Sequence, residues 1–286
     1  MKAQSLRAVQ QKRQPLCCAG PVLSLARPDL LLMLELQVLL SADRLQHWAI
    51  ALLINTVLIA LAQRLPLLTR AGWVHAGVLG TLLLGSLDWP GWWAVVLYLA
   101  LGSLVTRLGY RRKQEQGLAE ARGGRRGPEN VWGSAAIGAA LALFSVWPSA
   151  PVLLLKLGFA ASFSAKLGDT FGSEIGKRWG RHTVLITTLR PVPPGTEGAI
   201  SLEGTAASLV GSGLMALLML ELGLLSGAAS WLLVTAVGLV ATLLESLIGA
   251  GLQQRWRWLS NELVNGLQTA IAAVLAMVAG LWFGLV

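Results

Sequence analysis

The chain is poor in charge. Only 13% of its 286 residues are Asp, Glu, Lys or Arg, against 55% hydrophobic; a soluble domain carries about 25% charge. With a mean hydropathy of +0.63, an ordinary soluble fold is excluded. Cysteine is almost absent: Cys17 and Cys18 are adjacent near the N-terminus, with no further cysteine pair or histidine at ligand spacing. That excludes a disulfide framework and a zinc ribbon and leaves a pair open to palmitoylation. The G-x-x-x-x-G-K-[ST], G-x-S-x-G and H-E-x-x-H patterns are missing too, so common soluble nucleotide, hydrolase and zinc signatures are absent. Acids are outnumbered 14 to 23 by Lys and Arg, a net charge of +9. In so apolar a chain this excess is the expected positive-inside signal, and we expect no nucleic-acid partner.

What the chain has instead is apolar length. Runs near the roughly 20 residues needed to cross a bilayer recur at 46–64, 73–88, 91–109, 131–147, 151–168, 205–224, 229–251 and 264–285. The predicted fold is an all-α, polytopic transmembrane helical bundle of about eight helices, with the lipid bilayer as its first partner. The 32 glycines and 12 tryptophans read as helix-packing and interface residues.

Basic residues follow the odd-numbered spans: Arg64 and Arg70; Arg107 to Arg126; Lys166 to Arg190; Arg255 and Arg257. The connections "DWPG", "WPSAP" and "LSGAAS" carry none. The loops after odd spans are therefore predicted to face the cytoplasm or a plastid stroma. Residues 1–45 form a basic tail ahead of the domain at 46–286, and eight spans would leave that tail outside. Either "LLLMLELQVLLSA" at 30–42 is an interfacial helix or an extra crossing, or residues 1–28, free of Asp and Glu, are a targeting segment or an extended start upstream of Met33.

The polar stretches carry the chemistry. "AKLGDTFGSEIGKRWGRH" at 165–182 continues the fifth span. As a helix it stacks Gly168, Gly172, Gly176 and Gly180 in one stripe. Asp169, Ser173, Lys177 and Arg181 form the next, and Thr170, Glu174, Arg178 and His182 a third. Glycine packing and an ordinary Glu174–Arg178 pair would account for much of this. Asp169 is the exception, because an ionisable group at the membrane boundary is costly without a partner. Magnesium is the partner we expect, completed by nucleotide phosphates.

"GGRRGPENVWG" at 123–133 offers Arg125 and Arg126 to phosphate oxygens at a helix entry. "RPVPPGTEGAISLEGT" at 190–205 supplies Arg190, Glu197 and Glu203, with a helix cap as the competing reading of Ser201 and Glu203. "ESLIGAGLQQ" places Glu245 near the end of the seventh span, and "NELVNGLQT" opens the last with Asn261 and Asn265.

Taken together, "GGRRGPENVWG", "DTFGSEIG", "GTEGAISLEGT", "ESLIGAGLQ" and "NELVN" resemble an integral membrane family, once known only as a domain of unknown function, whose members include phytyl-phosphate kinases. "SLEGT" and "NELVN" are also similar to motifs of CTP-dependent polyprenol kinases. Glu245 and Glu197 stand where the family often has Asp. The resemblance implies transfer of a phosphoryl group from an NTP, CTP foremost, to phytyl phosphate or a related isoprenyl phosphate, feeding tocopherol and phylloquinone synthesis in a bacterial inner, thylakoid or plastid envelope membrane.

On this reading Asp169, Glu203 and Arg126 are catalytic, and Asp169, Glu174, Glu203 and Glu245 ligate Mg²⁺. Arg125, Lys177, Arg190, Ser173, Asn261 and Asn265 bind substrate or phosphate. No general base is needed where the nucleophile is already a phosphate oxygen. An isoprenoid alcohol kinase, a CTP-dependent lipid nucleotidyltransferase, and a non-catalytic transporter or scaffold are the competing readings.

Overall fold

The computed structural model describes residues 28–253, 255–256 and 258–286. Cys17, Cys18, the acid-free stretch 1–27 and Arg257 lie outside the described residues. Nine α-helices and one small β-ribbon are found among those described. Helix α1 spans Pro28–Leu39, α2 Ala42–Ala62, α3 Arg70–Arg107, α4 Tyr110–Glu115 and α5 Pro128–Phe144. The long helix α6 spans Val152–Trp179, followed by strands β1, Val184–Leu185, and β2, Ala199–Ile200. Helices α7, Leu202–Glu221, α8, Gly227–Ile248, and α9, Asn261–Trp282, complete the chain.

Among the described residues, five helical segments are long and apolar enough to cross a membrane: α2, α3, α7, α8 with its continuation to Gln253, and α9. Their outer faces carry the large apolar side chains that a soluble protein would bury: Leu52, Leu53 and Val57 on α2, Val210 on α7, Val274 and Val278 on α9 are all exposed. The expectation of an all-α chain needs one correction. The segment after α6 makes antiparallel β1–β2, with Val184 opposite Ile200 and Leu185 opposite Ala199.

Helix α3 is not straight. At 38 residues a continuous helix would be about 57 Å long. Yet Nη2 of Arg107, its last residue, donates 2.8 Å to the carbonyl of Pro66, just ahead of its first. The chain reverses at Asp88, φ 54°, ψ −157°, two residues before Pro90. Two arms, 70–87 and 89–107, run back to the same end of the molecule. Trp92 Nε1 donates 2.9 Å to Asn55 Oδ1, tying the second arm to α2.

Helix α6 is the axis. It packs against α3, α5, α7, α8 and α9, and Phe159 through Ala165 are all buried. The glycine stripe foreseen on this helix meets α7. A methyl group on Gly168 would lie 3.0 Å from the Ser208 carbonyl, and one on Gly172 3.1 Å from that of Gly204. Small residues repeat at i, i+4 on both helices, so the backbones approach closely without Cβ atoms between them. Ser164 Oγ donates 2.7 Å to the Ser212 carbonyl across the seam.

Replacing Gly168 by Val puts branched carbon into this contact. We expect a loss of about 1–3 kcal/mol, read as a lowered thermal midpoint of the detergent-solubilised protein, with Gly251→Val, whose added carbon meets nothing, as the neutral control.

Candidate active site

The polar loops converge on the end to which both arms of α3 return. Arg126 is fixed there by its backbone: its N–H donates 3.1 Å to the Leu67 carbonyl, and its own carbonyl accepts from Thr69 at 3.0 Å. The loop 194–200 docks against the end of α8, where Gly198 adopts φ +77° and a Cβ would sit 2.6 Å from the Ala250 nitrogen and the Ser246 carbonyl. Only glycine allows that approach in that conformation. A π-helical turn, Gly249–Gln253, extends α8 just there.

Between these loops and α6 lies a cavity of about 400 Å³. From α6 it is lined by Lys166, Asp169, Thr170, Ser173, Glu174 and Lys177. Arg125 and Arg126 face it from the 121–127 loop, Glu197 from the ribbon, Glu245 from α8, and Asn261 and Asn265 from α9. Ten of the residues singled out in the sequence thus share one wall-to-wall site. Glu203 and Arg190 do not reach it. Glu203 Oε2 instead accepts from the Arg181 amide at 3.4 Å, beyond the end of α6, while Ser201 caps α7 by accepting from Gly204 N at 3.1 Å. The capping reading of that motif is the one the structure takes. At α9 the cap is Ser260 rather than Asn261.

The charges are matched in pairs drawn from distant parts of the chain. Lys166, 5% exposed, donates to the Asp169 carboxylate and 2.7 Å to Asn265 Oδ1. Glu174 pairs with Lys113, which is fully buried and also donates 2.8 Å to the Thr106 carbonyl. That replaces the expected Glu174–Arg178 pair; the Arg178 guanidinium lies over the Trp179 ring, 4.9 Å from its centroid. Lys177 bridges Glu120 at 3.0 Å and Glu174 at 3.9 Å. Partial burial pushes Glu120 upward, but the Lys177 ammonium outweighs it and holds the carboxyl below its usual range.

Arg126 Nη1 donates 3.0 Å to the hydroxyl of Tyr98, a buried residue whose ring meets Phe163 edge-on at 5.6 Å. A Cβ on Gly102 would come within 2.6 Å of Arg126 Nη2, so the guanidinium lies over a glycine. Arg122 pairs with Glu129, and Asn130 Oδ1 accepts from Gly127 N at 2.9 Å, closing the start of α5.

Tyr98, Lys113 and Glu120 escaped the sequence reading, and Lys113 and Lys166 read as topology-setting loop bases. Lys166 carried a usable signal, since it stands one turn before Asp169 on the same helix.

A composite cavity of this kind, assembled at one end of a membrane bundle, agrees with the relatives. The chain matches the family described as integral membrane protein DUF92 over residues 53–273. It belongs to that family. It is 48% identical over 233 residues to an uncharacterised membrane protein of Synechocystis, covering 80% of this chain and 90% of that protein. It is 38% identical over 240 residues to Protein VTE6, chloroplastic, of Arabidopsis thaliana, covering 80% of this chain and 71% of the relative. A membrane protein of Methanocaldococcus jannaschii is 30% identical over 229 residues, 80% and 92% of the two chains. No solved structure matches. All five motifs that carried the family resemblance lie within the matched residues 53–273.

The buried Lys113–Glu174 pair makes a direct test of how α4 is held. Lys113→Met leaves a carboxylate without its main partner at 3% exposure and should cost about 3–5 kcal/mol. The double variant Lys113→Met/Glu174→Leu should recover most of that loss, measured as a double-mutant cycle on thermal unfolding.

Proposed function

We propose that this protein is a membrane-embedded kinase that transfers the terminal phosphoryl group of a nucleoside triphosphate, CTP foremost, to an isoprenyl monophosphate such as phytyl phosphate. The observation that carries this reading is the shared cavity: Arg125, Arg126, Lys166 and Lys177 with Asp169, Glu197 and Glu245, four cations and three carboxylates from four separate segments, facing one space. The likeness to the phytyl-phosphate kinase family supplies the substrate class.

Phosphoryl transfer between two phosphates asks for little covalent chemistry. The acceptor's phosphate oxygen forms the new P–O bond, the bond between β-oxygen and γ-phosphorus breaks, and the nucleoside diphosphate leaves. The attacking oxygen is already ionised, so no side chain need remove a proton, and the enzyme's task is to hold two anions together and neutralise developing charge. Arginine and lysine side chains in a cavity shielded from bulk water are suited to this.

The cavity fits Mg²⁺ as a shared rather than a protein-caged ion. Among the described residues no three His, Cys, Asp or Glu side chains form a ready metal cluster, and Asp169 is already paired with Lys166. Asp169, Glu197 and Glu245 lie within electrostatic range of one another and are the hard oxygen donors on offer, with nucleotide phosphates supplying the rest of the shell. Bound there, Mg²⁺ would neutralise charge on the bridging phosphates. Glu174, occupied by Lys113, and Glu203, outside the cavity, are not in this set.

We further propose that the two arms of α3, together with α2, α5, α6, α7, α8 and α9, make eight crossings. Following the distribution of basic loops, the cavity then opens to the cytoplasm or stroma.

The test is an assay of purified protein with phytol and phytyl phosphate, each NTP and Mg²⁺, reading the lipid by mass. The expected product is the diphosphate from phytyl phosphate. Cytidine retained on the lipid would make the protein a nucleotidyltransferase. Unchanged NTP consumption in both Asp169→Asn and Arg126→Lys would return it to a transporter or scaffold.

A further inference from the structure

The cavity is long in one direction and its cations lie at two depths. Lys166 and Lys177 both line it from α6 and, eleven residues apart, stand about 16 Å apart along the helix axis. Asp169 and Ser173 lie between them. Lys177 pairs with Glu120, and Arg122 and Arg125 line the cavity from the same loop; all three loop residues are exposed. Around Lys166 the surroundings are different. Tyr98, at 4% exposure, stands about 13 Å along α3 from its end at Arg107. Behind Tyr98 the aromatic rings of Phe163 and Phe159 close the space, their centroids 5.0 Å apart. This inner end sits at the depth of the helices, in the low-polarity part of the bundle.

Two cations at that depth require an explanation, because burying charge is costly without a partner. Lys166 has one in Asp169. Arg126 does not: among the described residues no carboxylate lies within ion-pair distance of it, and its one side-chain hydrogen bond goes to the Tyr98 hydroxyl. The remaining N–H groups of its guanidinium, a fork suited to phosphate oxygens, have no side-chain partner among the described residues, in a cavity that Lys166 also lines. Asn265 and Ser134 add neutral polar groups to the same wall.

We infer that Lys166 and Arg126, with Tyr98 as the positioning residue of Arg126, form an inner anion subsite for the phosphate of the lipid acceptor, separate from an outer subsite around Lys177 and Arg125 for the nucleotide. This rests on the kinase reading and deepens it. A soluble nucleotide enters from the loops, whereas a lipid headgroup is delivered at bilayer depth. The unmatched guanidinium then selects an acceptor that carries negative charge, a monophosphate, over the free alcohol. The carboxylates of Asp169, Glu197 and Glu245 line the same cavity as both subsites.

Binding and turnover separate this inference from the kinase reading. Labelled phytyl monophosphate is titrated, without nucleotide, onto the full chain in nanodiscs, for wild type, Lys166→Met, Tyr98→Phe and Lys177→Gln. Each variant is first shown to melt cooperatively. We expect Lys166→Met to weaken binding about tenfold or more, the loss of a charge-assisted contact. Tyr98→Phe should weaken it less, and Lys177→Gln should leave it within about twofold. In turnover, Lys166→Met should raise KM for phytyl monophosphate, and Lys177→Gln should raise KM for the nucleotide.

Equal binding of phytol and phytyl monophosphate by the wild type would overturn the inner subsite, as would Lys166→Met moving only the nucleotide KM. If Lys166→Met fails to fold, the Tyr98→Phe titration decides: unchanged binding counts against the subsite. Wild-type binding that depends on Lys166 without any turnover would sink the kinase reading and leave the anion site standing.

Discussion

The structure depends on how α6 solves one electrostatic problem. A helix buried on nearly all sides carries Lys166, Asp169, Glu174 and Lys177 within three turns, where each unpaired charge would cost several kcal/mol. Each is matched, and two of the partners, Lys113 on α4 and Glu120 just beyond it, come from the segment after α3. The pairing draws that segment onto α6, and it brings the 121–127 loop with it. The cavity wall is therefore a consequence of charge compensation rather than of apolar packing.

The neighbouring stripe of the same helix has a different constraint. Glycines at four-residue spacing bring α7 to backbone contact, which places Ser201 and Ser208 on the cavity wall and fixes where the 194–200 loop ends. One helix thus carries a small-residue seam and a charged stripe side by side, and both reach the cavity wall. The reversal at Asp88 serves the same end: it returns the second arm of α3 to the polar end, so that Tyr98 and Gly102 meet the Arg126 side chain.

Much of this was legible. The α6 stripes followed from residue spacing, and the segment is helical as far as Trp179; Gly180, Arg181 and His182, expected to continue the stripes, lie past the helix end. Arg126, Asp169, Glu245 and Asn265 came from four separate motifs and do share the cavity. Glu203 misled because an acid in the first turn of a helix serves the helix terminus as readily as a metal, and at this position it lies against the Arg181 amide. Arg190 misled because the β-ribbon, two residues per strand, is too short to leave a periodic signal; Arg190 lies on the connection between its strands, where its carbonyl accepts from Leu185 N at 2.9 Å, and it does not line the cavity. Lys113 could not be found: among six basic residues between Arg107 and Arg125, nothing local distinguishes the one that is buried.

The amino-acid sequence alone determined that the chain enters a bilayer, which segments are helical, which loops share a side, and that acids and guanidinium groups gather there. These follow from composition and from short-range periodicity, because apolar length and residue spacing act within a single segment. Which lysine answers which carboxylate, where α3 folds back, and that Arg126 keeps its guanidinium free of any acid among the described residues were decided only in three dimensions. Those outcomes turn on distances between segments tens of residues apart, and such distances are fixed by packing against α6, which no local pattern encodes.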